Sequence, residues 1–123
     1  MDNTPISQID YVDKVLAAYR HTPGTTGRVN RQDRLLAAQL YQRGIPLAVI
    51  ENALVLGAVR RLYRDLDAPP LPPVRSLHYF RHLIEEVLAL KINPAYFQYL
   101  RHKIETFQRA KEAFLQATPS RKT

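Results

Sequence analysis

Apolar residues recur along this chain at intervals of three and four, never in sustained alternation. Five stretches keep that rhythm long enough to predict helices. The first runs from about Gln8 to Tyr19, with Ile9, Val12, Val15, Leu16 and Tyr19 on one face. Ser7, with Asp10 three residues on, makes a capping pair for its start. Two glycines and a proline between His21 and Gly27 then break the pattern into a loop. Asn30 caps the second helix, with Asp33 in its first turn, and Leu35, Leu36, Leu40 and Tyr41 form its stripe. Gly44 is placed to end it in a left-handed conformation. The third helix starts near Pro46. Leu47, Ile50, Leu54, Ala58 and Leu62 line one face, and Val49, Ala53, Val55 and Val59 widen it. A helix apolar over most of its girth belongs at the centre of a bundle.

From Asp65 to Arg75 the rhythm stops. Four prolines within five residues favour an extended strap, expected to pack Leu71 and Val74 onto the bundle. Ser76 caps a fourth helix with Leu77, Phe80, Leu83, Ile84, Val87 and Leu88 facing inward. Asn93-Pro94 opens the last, to about Ala117, with a stripe of Tyr96, Phe97, Leu100, Ile104, Phe107 and Phe114, of which Tyr96 is the least committed to the core. The expected fold is all-α: one domain over residues 1–123, a compact bundle of about five helices with a helix-turn-helix-like hairpin and a proline-rich strap. Order is expected over about 7–117, with a frayed tail at 118–123.

Composition narrows the function classes. The 123 residues suit one domain, and no apolar run approaches the ~20 residues of a membrane span, so no membrane partner is expected. There is no cysteine, which excludes disulfides, thiolate zinc sites and cysteine nucleophiles. The polar start Met1–Pro5 shows no secretory pattern, and a cytoplasmic location is expected. Neither a glycine-rich phosphate loop nor a serine elbow nor a carboxylate pair beside a histidine or lysine is present, so no catalytic residue, no cofactor and no enzyme activity is expected.

The net charge of +7 is concentrated. Between Arg28 and Arg81 stand nine basic residues, all arginine, against four acids, a local excess of +5. Arginine grips phosphate in a fixed two-pronged geometry, so this excess suits a polyanion; ordinary solvated helix faces in an arginine-rich chain are the plainer reading. Arg60, Arg61 and Arg64 near the end of the third helix are the leading candidates for a phosphate stripe, continued by Arg75 and Arg81 and joined by Arg28 and Arg31. Their alternative is structural, with Asp65 and Asp67 as ion-pair partners. Within Ser76–His82, the aromatic and basic residues His78, Tyr79, Arg81 and His82 suit stacking on unpaired bases, and Lys103, with Tyr99, extends that surface. The His78/His82 spacing permits a metal, but the zinc-protease pattern requires glutamate where Tyr79 stands, so no metal site is expected. Glu85 and Glu86 read as an exposed helical pair, Glu85 one turn from Arg81. Pro70 to Arg75 formally matches a proline-rich ligand motif, with a stiff connector as the simpler reading.

Leu40 to Ile50 carries the spacing of a DNA-reading helix-turn-helix at Gly44, Ile45 and Ile50, but with leucine in place of the small residue and Pro46 in place of serine or threonine. Its outward residues would be Ala48, Glu51 and Asn52, and an ordinary helical hairpin is the competing reading. Over Arg34–Leu88, Gly44-Ile45-Pro46-Leu47, Ile50-Glu51-Asn52-Ala53-Leu54 and Leu77-His78-Tyr79-Phe80 followed by Leu83-Ile84 resemble the helical module of DnaD-type replication-initiation proteins. The resemblance implies DNA binding around Tyr79 and the basic helix after it. The proline strap lengthens the family's connection, and the tryptophan common near the module's end is absent. The expectation is a nucleic-acid-binding accessory of DNA replication or a mobile element, with DNA favoured over RNA. The alternatives are a helical protein–protein adaptor or a small subunit of a larger, RNA-guided complex, and a homo-oligomer stays open.

Overall fold

A helix leaves its first N–H groups without partners, and three short polar side chains supply acceptors here. Ser7 accepts from the Asp10 amide at 3.2 Å, Asn30 from Asp33 at 2.9 Å, and Ser76 from His78 at 3.1 Å. The computed structural model describes residues 6–64, 69, 71–90 and 94–117, apart from the side chains of 94, 111 and 113–117. Five α-helices follow in order: α1 (Gln8–Arg20), α2 (Arg31–Gln42), α3 (Leu47–Leu62), α4 (Arg81–Leu90) and α5 (Pro94–Ala117). A 3-10 turn, Leu77–Phe80, runs directly into α4. No strand occurs among the described residues, and the all-α expectation holds. The expected cap Asn93, the Phe114 side chain, Asp65, Asp67 and the tail 118–123 lie outside the described residues.

Helix α3 is central, as its broad apolar girth predicts: α1 packs on one side of it, α4 and α5 on others, while α2 packs chiefly on α1. Ile50, Ala53, Leu54, Leu56 and Ala58 are buried along it. Gly57 explains how α4 comes so close. An added Cβ there would stand 2.6 Å from Phe80 Cε1 and 2.8 Å from Leu83 Cδ1. Gly44 ends α2 with φ +74°, and Ile45 behind it is buried. Pro46 sits at the cap of α3 rather than inside its first turn.

The apolar stripes are rotated relative to expectation in four places. Ile9 is 74% exposed because Tyr11 takes the inward place in the first turns of α1 and donates its hydroxyl to Ile45 O at 2.7 Å. Burial pushes that phenol up to about 12. In α2 the buried set is Asp33, Leu36, Ala37 and Leu40, an i, i+3, i+4, i+7 face, which leaves Leu35 exposed. In α4, Leu88 lies at the exposed margin of the face made by Leu83, Ile84 and Val87. In α5 the inner face is Phe97, Leu100 and Ile104, and Tyr96 points outward.

Asp33 joins the two halves of the chain. Its Oδ2 accepts from the Asn30 amide at 3.0 Å, closing a capping box on α2. Its Oδ1 accepts from Ser76 Oγ at 2.8 Å and from the Leu77 amide at 2.9 Å, 44 residues away in sequence. The residue is wholly buried. The strap meets the bundle differently from expectation: Val74 is buried, while Leu71 faces solvent. Val74 pairs with the loop after α1 through a parallel bridge to Thr25, its amide donating to Gly24 O at 2.7 Å and its carbonyl accepting from Thr26 at 2.8 Å.

Replacing Asp33 with Ala strands three donors, each worth about 1–3 kcal/mol when buried without a partner. Urea unfolding followed by far-UV circular dichroism should show a loss of roughly 3–5 kcal/mol, with Asp33→Asn intermediate. A loss under about 1 kcal/mol would show that the two helix starts hold without the carboxyl group. Gly57→Ala should destabilise by about 1–3 kcal/mol through overpacking, although alanine is the better helix former, and Phe80→Leu in the same chain should recover part of it. Stabilisation by Gly57→Ala would contradict the close α3–α4 approach.

Candidate nucleic-acid interface

The arginines divide into those engaged within the fold and those that are not. Arg60 makes a two-pronged bond to Glu86 at 2.8 and 2.5 Å, and Arg43 does the same to Glu85 at 2.6 and 3.2 Å. Hydrogen bonding from Arg60 and Arg43 holds Glu86 and Glu85 below the usual carboxylate range and raises both arginines in turn. These pairs tie α3 and the end of α2 to α4. Glu85 hydrogen-bonds to Arg43, and Arg81, its expected neighbour on the same helix, adds a weaker electrostatic attraction. Being exposed, the pairs contribute little stability, but they cancel the charge of Arg60 toward any distant anion.

Arg61 and Arg64 hold the strap. Arg61 donates to Pro72 O at 2.6 Å and to the Tyr79 hydroxyl at 3.3 Å, and Arg64 donates to Pro69 O at 2.7 Å. The Arg61 guanidinium carbon stands 5.4 Å from the Tyr79 ring centroid. With the hydroxyl in contact, it lies toward the phenol end of the ring, and the hydrogen bond describes the contact better than a face-centred cation–π pair. Gly24 leaves room for it: an added Cβ would come 3.2 Å from Arg61 Nε. All three leading candidates for the phosphate stripe are thus in use. Among the described residues Arg61 and Arg64 bind uncharged partners, whereas Arg60 is ion-paired with Glu86.

Arg28, Arg31, Arg75 and Arg81 are exposed and make no side-chain hydrogen bond or ion pair with any described residue. The Thr25–Val74 bridge sets the two segments that carry them side by side. Arg28 and Arg75 wall one open cleft of about 700 Å³, with Thr26, Val29 and the α2 cap Asn30 completing it, and Arg31 follows as the first residue of α2. Neither 24–31 nor 71–82 contains an acidic residue. His78, Tyr79 and His82 are exposed beyond Arg75. Lys103 lies elsewhere, on α5, with its Nζ 5.1 Å from the Tyr63 ring centroid.

Position bears on two further sequence features. The helix that a helix-turn-helix would send into a DNA groove is α3, and it is packed by α1, α4 and α5, with Asn52 accepting from Arg101 at 3.0 Å and Glu51 half-buried. The hairpin exists; the reading helix is not free. His78 and His82 straddle the junction between the 3-10 turn and α4, and no group of three or more metal-binding side chains converges among the described residues. A second cleft of about 490 Å³ lies between α1, α3 and α5, with an apolar floor including Leu54 and Ile104 and with Glu51, Glu105 and Arg101 also lining it, a mixed charge with no cationic excess.

Sequence reasoning missed the strap-clamping work of Arg61, and the signal was its nearness to four prolines, whose carbonyls have no helix to enter. Arg61→Ala should speed hydrogen exchange at the Val74 and Thr26 amides at least about tenfold while leaving helix content unchanged. Unchanged exchange would show that the bridge alone fixes the strap. No protein-family model, no curated protein and no solved structure matches this chain.

Proposed function

We propose that this chain is a nucleic-acid-binding accessory protein, of the kind that serves DNA replication or a mobile element in the cytoplasm, and that it grips phosphates without reading base edges from a groove. One observation carries this reading: the bridge at Val74 joins two acid-free segments, and their Arg28 and Arg75 wall one cleft without a side-chain hydrogen bond or ion pair among the described residues. Arg61 and Arg64, whose partners among the described residues are uncharged, add positive charge on the strap side. The resemblance to DnaD-type modules points the same way. No described helix is long and apolar enough to cross a membrane. A protein-docking role is the second reading, favoured by the exposed Ile9 and Leu35 on α1 and α2.

Fluorescence-anisotropy titrations with duplex and single-stranded DNA over a salt series test this. Four phosphate contacts give a slope of roughly −3.5 in log K against log salt on duplex. Arg28→Ala/Arg75→Ala should weaken binding about tenfold or more and reduce that slope by about 2. The charge-neutral pair of changes Arg60→Met/Glu86→Gln should leave both nearly unchanged. Absence of binding at low salt, or equal losses from both double variants, would sink the reading.

A further inference from the structure

The seven tyrosines of the chain fall into two sets. Tyr11 and Tyr19 are buried and Tyr41 is half-buried, while Tyr63, Tyr79, Tyr96 and Tyr99 are exposed. The ring pairs Tyr11–Tyr41, Tyr19–Phe80, Tyr63–Phe107, Tyr79–Phe80 and Tyr96–Phe97 all meet edge-on, at 66° to 78°. Tyr96 and Tyr99 differ. Three residues apart at the start of α5, their rings are inclined by 27° with centroids 6.5 Å apart, and they are 44% and 55% exposed. Edge-on contact is how rings interlock in a core; this pair is instead near-parallel and partly exposed at the surface.

The surroundings favour an anionic, planar ligand. Lys103 is one turn beyond Tyr99 on the same side of α5 and rests over Tyr63, whose hydroxyl donates to Lys103 O at 2.9 Å. Arg60, which interacts electrostatically with Tyr96, also pairs with Glu86. Tyrosine also suits a surface that waits in water, because its hydroxyl stays hydrated while its π-face stacks.

We propose that Tyr96 and Tyr99 form a stacking platform for unpaired bases, with Lys103 holding an adjoining phosphate, so that the chain favours single strands over duplex. This rests on the phosphate-binding reading and deepens it. Bases in a duplex are stacked on one another and offer no face to a protein ring, whereas every base of a single strand does, which makes such recognition tolerant of sequence.

Three probes separate the two ideas: oligothymidylate, an abasic strand of the same length and charge, and duplex. Oligothymidylate should bind at least about fivefold more tightly than the abasic strand. Tyr96→Ala/Tyr99→Ala should bring its affinity down to the abasic level while leaving abasic binding unchanged, and Tyr99→Phe should bind like the unaltered chain. The chain has no tryptophan, so its intrinsic emission comes from tyrosine. Oligothymidylate should quench that emission in the unaltered chain, and the abasic strand should not. Equal affinity for oligothymidylate and the abasic strand overturns the platform and leaves the arginine surface standing. A preference that survives in the double variant also overturns it and assigns these rings to a protein partner. No binding to any strand at low salt overturns both.

Discussion

A buried carboxyl group with three hydrogen-bond donors around it is the contact on which this bundle depends. Asp33 stands in a core position of α2, one turn before Leu36 and Ala37, where an apolar side chain would be the default. Burying that group is tolerable only because each donor it meets is itself a backbone or hydroxyl group at a helix start that would otherwise lack an acceptor. The same atoms thus satisfy the start of α2 and the start of the Leu77 turn. In doing so they fix where the chain re-enters the bundle after the prolines. From there Phe80 and Leu83 reach the bare backbone of Gly57, and α4 takes its place against α3.

Periodicity made the helices legible and left their exact facing undetermined. The positions of Ser7, Asn30, Gly44 and Ser76 marked the element boundaries because each carries a local reason to stop or start a helix, and local reasons survive folding. Leu35 was misplaced for the opposite reason. The stripe in α2 passes through an aspartate, and an aspartate at a core position reads as surface until its partner 44 residues away is known. Ile9 and Tyr96 were misplaced likewise, each beside another apolar or aromatic residue that took the inward position. Where a stripe is broad, the sequence offers two adjacent candidates, and only packing selects one.

The candidate interface was less legible than the fold. Arg60, Arg61 and Arg64 look in sequence like a cationic stripe, yet the acids and carbonyls that engage them come from α4 and the strap. Charge counting cannot see such engagement. What remains available is set by exclusion, as Arg28 and Arg75 wall a cleft whose two segments, 24–31 and 71–82, carry no acid. The aromatic strip on α5 is likewise a matter of geometry: the spacing of Tyr96 and Tyr99 permits several ring arrangements, and the near-parallel one is a property of the folded helix surface.

The bridge between Thr25 and Val74 has a thermodynamic consequence. The segments it joins lie about fifty residues apart in the chain, so in an unfolded molecule their arginines are separated by a fluctuating coil and act independently. Folding brings Arg28 and Arg75 to the walls of one cleft. A polyanion that bridges both segments therefore binds the native state more tightly than the denatured one, and by mass action its presence raises the apparent stability of the bundle. On the proposed function the strap would work in two directions: it would position the cations for a polyanion, and the polyanion, once seated across it, would oppose the separation of the two halves of the chain.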